Sequence, residues 1–251
     1  MPPTSQRHAL EPLARKLEYR SQLDAADRAA LLALPHTVRS MESNHYIVRE
    51  RDKTAHAGLM LSGFAIRHKI VAGGHRQIVS IHMKGEMVDL HNALLGTADH
   101  SVQMLTAGKV AMIPREDILR IAFERPAVGK ALWLDTLVDG AIFREWIANV
   151  GRRDARTRIA HLLCEFGMRL KHAGLAEEEN YDLPMTQEQL GDATGLTSVH
   201  VNRTIKALEA ERLIDRVSPR AISIGDWKRL AGVGDFDSGY LHMKQDDPVF
   251  A

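Results

Sequence analysis

The chain has 251 residues, 45% of them hydrophobic and 26% charged, with a formal net charge of +1. This is room for one large or two ordinary globular domains, and the near-zero net charge does not by itself announce nucleic acid. No apolar run reaches membrane-spanning length, the first twenty residues lack the continuous apolar stretch of a signal peptide, and the single cysteine, Cys164, excludes an internal disulfide and a multi-cysteine iron–sulfur site. A cytoplasmic protein with no membrane partner is expected.

In chain order, residues 6–33 carry leucines at helical spacing (Leu10, Leu13, Leu17, then Leu31, Leu32, Leu34), and Asp24 is placed to start a second helix. From about 37 to 113 the pattern changes to short strands. They are expected at 37–41, 46–49, 58–61, 64–71, 76–82, 87–90, 101–106 and 110–113, with turns at Ser62-Gly63 and Ala72-Gly73-Gly74. Short antiparallel strands with glycine turns argue a small barrel or roll. A short helix over 114–124 leads into a long one over 126–150. On it Trp133, Thr136, Gly140, Phe143, Ile147 and Val150 form a seam at three- and four-residue spacing. Leu134, Leu137, Val138 and Ile142 add a second apolar face, so the helix is expected to pack on a partner copy as well as on the roll; an internal core helix is the alternative.

Residues 151–154 read as a hinge, and 155–170 as a helix in which Cys164 serves packing. The loop 171–184 holds Glu177, Glu178 and Glu179, a solvated acidic loop or a polymerase contact. Residues 186–211 then give the densest signal in the chain. Thr186 with Gln189 makes a capping box, Gly195 suits a left-handed C-cap, and Thr197 can cap a second helix. Leu190, Leu196, Val201, Ile205 and Leu208 fall where the two helices meet, and Gly191 is small at the crossing. The other face of the second helix shows Ser198, Val199, Asn202, Arg203 and Lys206, a polar stripe ending in basic residues, as a major-groove recognition helix requires. A plain helical hairpin is the alternative. Two short strands, 213–216 and 221–224, follow around Ser218-Pro219-Arg220 as a β-wing, with Arg216 and Arg220 placed for phosphates. A brief helix over 226–231 and a mixed tail close the chain. From 186 to 230, seven Lys/Arg (203, 206, 212, 216, 220, 228, 229) face six Asp/Glu (188, 192, 209, 211, 215, 226), so affinity for DNA must come from where charges sit.

Helix, roll, long helix, hinge and winged helix-turn-helix in this order resemble the Crp/Fnr superfamily of bacterial transcription regulators. The resemblance is carried by TQEQLGDATGLTSVHVNRTIKALEAERLI at 186–214, KGEMVDLHNALLG at 84–96 and EWIANVGRRDARTRIAHLLCEFGMRL at 145–170. It implies an α+β chain. A cyclic-nucleotide-binding-like jelly roll with N-terminal helices spans 1–125, a dimerisation helix 126–150, a winged helix-turn-helix 151–240 and a tail 241–251. It implies a homodimer on a near-palindromic double-stranded operator, acting with RNA polymerase as activator or repressor, and no enzyme activity.

The family's base-reading Arg falls on Arg203, whose fork suits guanine. Its Glu falls on Val199, which suits a thymine methyl and puts the usual half-site in doubt; Asn202 suits adenine. Thr186, Thr197 and His200 fall on phosphate-contacting positions, and Lys206 joins them. In nucleotide-binding members a Gly-Glu pair holds the ribose and an Arg-Ser pair the phosphate. Here those positions read Asp89-Leu90 and His100-Ser101, which removes the charge-assisted contacts and argues against cAMP. Six histidines lie in the roll region (His56, His68, His75, His82, His91, His100), without the close spacing of a metal motif; they are expected to be dispersed, with no metal or other cofactor bound. A cyclic-nucleotide- or haem-responsive regulator is one alternative. A cupin-like metal enzyme, for which His82, Glu86 and His91 are the nearest approach, is another.

Overall fold

The computed structural model describes residues 8–176, 180–216 and 221–243. It divides into two compact units, Met1–Arg67 with Ile81–Leu137, and His68–Ser80 with Val138–Ala251.

The first unit opens with helices α1 (Glu11–Arg20) and α2 (Ala25–Leu32). Asp24 caps α2 in a reciprocal box with Asp27, satisfying donors that a helix start leaves open. The strands are β1 (Thr37–Met41), β2 (Tyr46–Val48), β3 (His56–Ser62), β4 (Ala65–Ile70), β5 (Arg76–His82), β6 (Ser101–Met104) and β7 (Gly108–Pro114), with a short helix α3 (Asn92–Leu95) between β5 and β6. They form two sheets, β1-β7-β3 and β2-β6-β4-β5, with β3 and β7 antiparallel from His56 opposite Pro114 onward.

Residues β3 and β7 read as almost unbroken apolar runs because both their faces are covered. Ala57 and Leu59, with Ala111 and Ile113, join Leu10, Leu13, Leu17 and Leu31 in one cluster. Met60, Val110 and Met112 point the other way, to Val88, Val102 and Met104 inside the roll. Helix α4 (Arg115–Glu124) brings Ile118 and Ile121 to the first cluster. Lys16 and Arg20 of α1 both bind the buried Asp135 carboxylate, at 2.8 and 3.0 Å, on the 27-residue helix α5 (Pro126–Arg152).

The second unit contains His68–Ser80 from the β4–β5 hairpin and the rest of α5, then α6 (Ala155–His172), β8 (Asn180–Asp182), α7 (Gln187–Thr194), α8 (Ser198–Ala210), β9 (Ile214–Arg216), β10 (Ala221–Ile224), α9 (Trp227–Val233) and a 3₁₀ turn at Ser238–Leu241. Its core carries a buried polar network. The Glu165 carboxylate accepts from Trp146 Nε1 (2.9 Å), Arg169 Nη1 (2.9 Å) and the Tyr240 hydroxyl (2.8 Å), so its charge is distributed over three donors.

Three expectations are corrected. Residues 87–90 form no strand: Met60 N–H donates to Glu86 O and Val88 N–H to Gly58 O, after which Asn92 N–H turns back to Asp89 O and starts α3. The segment touches β3 with one isolated bridge and leaves it. The break at 151–154 is narrower than expected, because α5 runs to Arg152 and Asp154 already caps α6 by accepting from Thr157 N–H at 2.9 Å. The 171–184 loop holds β8, which pairs with β10 in a three-stranded sheet β8-β10-β9. The acidic Glu177–179 run, the Ser218-Pro219-Arg220 wing tip, residues 6 and 7 of the first helical stretch and 244–251 of the tail lie outside the described residues.

Cys164 is fully buried in α6, and that burial pushes its thiol up to about 12. At pH 8 only about one thiol in ten thousand is then ionised. The native protein is expected to resist iodoacetamide at pH 8 and to label stoichiometrically in denaturant; rapid labelling of the folded chain would show an open thiol instead.

Candidate nucleic-acid interface and effector pocket

The helix-turn-helix is built by local chemistry. The Thr186 side chain accepts from Gln189 N–H at 3.2 Å while Thr186 N–H donates to Gln189 Oε1 at 2.8 Å, which fixes the start of α7. Gly195 ends α7 at φ +67, in the left-handed region open to glycine. The Thr197 hydroxyl accepts from His200 N–H at 3.3 Å and starts α8. Between them Leu196 N–H donates to Gly191 O at 3.0 Å, and a Cβ on Gly191 would lie 2.4 Å from the Leu196 carbonyl oxygen. Leu190, Val201, Ile205 and Leu208 are buried at the crossing; Leu196 is half-buried at the turn.

On the opposite face Ser198, Val199, Asn202, Arg203 and Lys206, together with Gln187, line one shallow open concavity. Val199 is 76% exposed, so an apolar side chain stands open to solvent on this face. Gln187 carries no signal in the sequence reading. Its Oε1 accepts from Asn202 Nδ2 at 3.1 Å, which holds the Asn202 amide and leaves its second N–H to donate elsewhere. Thr186 and Thr197 are exposed, each spending an acceptor lone pair on its own helix start and keeping its O–H. His200 is exposed beside them. Arg216, expected to meet phosphates, donates its Nε–H to Glu209 Oε1 at 3.0 Å in the single chain. The Arg220 position lies outside the described residues.

The seam residues of α5 separate cleanly from its buried face. Trp133 and Ile147 are 67% and 72% exposed, and Thr136, Gly140, Phe143 and Val150 are half-buried. Val138, Ala141, Ile142 and Trp146 are buried within the chain, so Val138 and Ile142 belong to its own core.

In the first unit the four pocket positions sit together but are not built for a cyclic phosphate. Asp89 is fully buried and His100 nearly so; Leu90 is buried. The Ser101 hydroxyl accepts from Glu50 N–H at 3.0 Å. His100 lies between two carboxylates, with Nε2 3.3 Å from Asp89 Oδ1 and Nδ1 2.5 Å from Asp99 Oδ1. An anion there would meet negative charge. Burial pushes the Asp99 carboxyl up, but the hydrogen bond from His100 and the imidazoles of His100 and His91 hold it below its ordinary range. The histidines are not all dispersed: His91 packs on His100, with ring centroids 5.1 Å apart. His82, by contrast, faces Glu86 at 3.5 Å, and neither belongs to the group formed by Asp89, His91 and His100.

Among the described residues no helix is long and apolar enough to cross a membrane. Residues 157–233 match the Crp-like helix-turn-helix domain and residues 38–125 the cyclic nucleotide-binding domain. The chain is 27% identical over 225 residues to the transcriptional activator protein FnrL of Cereibacter sphaeroides, covering 88% of this chain and 90% of that protein. It is 27% identical over 189 residues to the nitrogen fixation regulation protein FixK of Bradyrhizobium diazoefficiens, covering 75% and 78%. The solved structure of FixK2 from Bradyrhizobium japonicum superposes with a TM-score of 0.74 at 23% identity, over 80% of this chain and 98% of that one.

Replacing Gly191 by alanine places the new methyl against the Leu196 carbonyl, with overpacking expected to cost about 1–3 kcal/mol. Thermal unfolding of Gly191→Ala should show a melting temperature lowered by several degrees; an unchanged melting temperature would mean that the turn accommodates a side chain freely.

Proposed function

Because the chain belongs to the Crp/Fnr family of transcription regulators, we propose that it acts as a homodimer on a near-palindromic operator, with α8 of each copy in the major groove. The observation that carries this reading is the concavity in which Ser198, Val199, Asn202 and Arg203 converge on one open face. The chain is a DNA-binding regulator and not an enzyme, so the cupin-like alternative is set aside.

In this reading Arg203 donates its fork to guanine O6 and N7. Asn202, steadied by Gln187, presents an acceptor and a donor to adenine. Val199 meets a thymine methyl where a carboxylate would accept from a cytosine amino group. Ser198 sits beside them at the start of α8. Thr186, Thr197, His200 and Lys206 hold phosphates; Arg216 joins them by exchanging Glu209 for a phosphate, and Arg220 is proposed from its sequence position. The two copies meet along Trp133, Thr136, Gly140, Phe143, Ile147 and Val150, a seam whose Trp133 and Ile147 are exposed in the single chain, and RNA polymerase is the proposed partner once bound. The proposed domain limits are 1–125, 126–150, 151–240 and 241–251. The roll does not respond to cAMP, because Asp89 and Asp99 flank the position a phosphate would occupy and the Ser101 hydroxyl is already engaged.

Fluorescence anisotropy with a selected operator tests the base contacts. Arg203→Ala should lose about 1–3 kcal/mol of discrimination at one guanine per half-site and keep residual nonspecific binding. Val199→Glu should shift preference toward cytosine at its contacted base. Unchanged base preference in both variants would overturn the proposed readout.

A further inference from the structure

Asp89, His91 and His100 are brought together by the turn into α3 and the start of β6, and their donor atoms all lie within 4.8 Å of one another. His100 Nε2 is 3.3 Å and His91 Nε2 3.7 Å from Asp89 Oδ1. Asp89 has no exposed surface and His100 is 4% exposed. Asn92 Nδ2 donates to Asp89 Oδ1 at 2.6 Å, yet Asp89 Oδ2 and His100 Nε2 are buried with no hydrogen-bond partner among the described residues. A buried carboxylate with a single amide donor lacks the compensation such burial requires.

The tautomer of His100 sharpens the point. Its Nδ1 lies 2.5 Å from Asp99 Oδ1, and in the tautomer that donates there Nε2 presents a lone pair. In that tautomer Nε2 and Asp89 Oδ1, 3.3 Å apart, are both acceptors, and a cation between them satisfies both. A carboxylate on the far nitrogen of a ligating imidazole is the usual outer-shell partner of a metal-bound histidine. Donor atoms about 2.1 Å from a tetrahedral ion stand roughly 3.4 Å apart, close to the two separations from Asp89 Oδ1. The backbone beneath is fixed as well: Arg67 Nη2 donates to Val88 O at 2.8 Å, immediately before Asp89.

We infer that Asp89, His91 and His100 bind one divalent first-row transition ion per chain in the effector pocket of the roll. Two imidazoles and one carboxylate suit zinc or iron(II) rather than magnesium or calcium, which take oxygen ligands. Three protein ligands leave a coordination position for water or a small molecule. Asp99 is a positioning residue, acting through His100. The inference goes beyond the DNA-binding reading and is tested without DNA.

Tag-free full-length protein, stripped with chelator, is titrated with cobalt(II) followed by visible absorption, and with zinc(II) in competition. One equivalent per chain with ligand-field bands is expected, displaced by zinc. His91→Ala removes a partly exposed ligand and should weaken binding at least about tenfold, and Asp99→Asn about 10–100-fold, with both variants checked for folding by circular dichroism. His75→Ala, on the exposed β4–β5 turn, should bind as the parent does. Absence of cobalt and zinc uptake by the parent chain, or parent-like affinity in His91→Ala and Asp99→Asn, would overturn the site.

Discussion

A carbonyl oxygen and a missing Cβ hold the recognition helix in place. Gly191 lets α7 approach so closely that the Leu196 carbonyl lies 2.4 Å from where a Cβ would be, and Gly191 O takes the Leu196 N–H in return. Gly195 supplies the left-handed residue that ends α7, and Arg158 Nη1 covers the Thr194 carbonyl at 3.0 Å. With that corner fixed, burial of Val201, Ile205 and Leu208 decides which side of α8 faces in. The opposite side is thereby committed to Val199, Asn202 and Arg203. The proposed DNA readout depends on this corner because a rotation of α8 by one residue would turn the stripe about 100° away.

Two buried carboxylates show contrasting solutions to the same problem. Glu165 is surrounded by an indole, a guanidinium and a phenol, and the network ties α5, α6 and the C-terminal turn into one core. Asp89 has one amide donor and two imidazoles whose Nε2 atoms face it. The first arrangement is complete as it stands and reads as structural. The second leaves Asp89 Oδ2 and His100 Nε2 buried without a hydrogen-bond partner among the described residues, and so reads as a binding site.

Much of this was legible in the sequence, and unevenly so. Capping residues act within three positions, so Asp24, Thr186 and Thr197 could be placed from the chain alone. Strands bounded by glycine turns were equally visible, and 37–41 and 76–82 end where expected. The stretch 87–90 misled because its apolar residues are buried in the roll for packing while its backbone turns. The strand Asn180–Asp182 was hidden because three residues carry no periodicity and its partner lies some forty residues on. In the candidate sites the recognition stripe was readable from one-helix spacing. Gln187 was not, since its contact with Asn202 crosses between helices. His91 and His100 looked scattered because nine positions of chain separate them, and only the turn through α3 brings their rings within 5.1 Å.

In the proposed assembly two copies, joined along α5, present two copies of this stripe to DNA. Selection of bound duplexes from a random pool by the unmodified protein tests it most directly. The expected result is an inverted repeat of guanine-containing half-sites whose centres lie one helical turn or a whole multiple apart, about 10 base pairs per turn. Recovery of single, unpaired sites, or of sequences with no shared guanine, would contradict it.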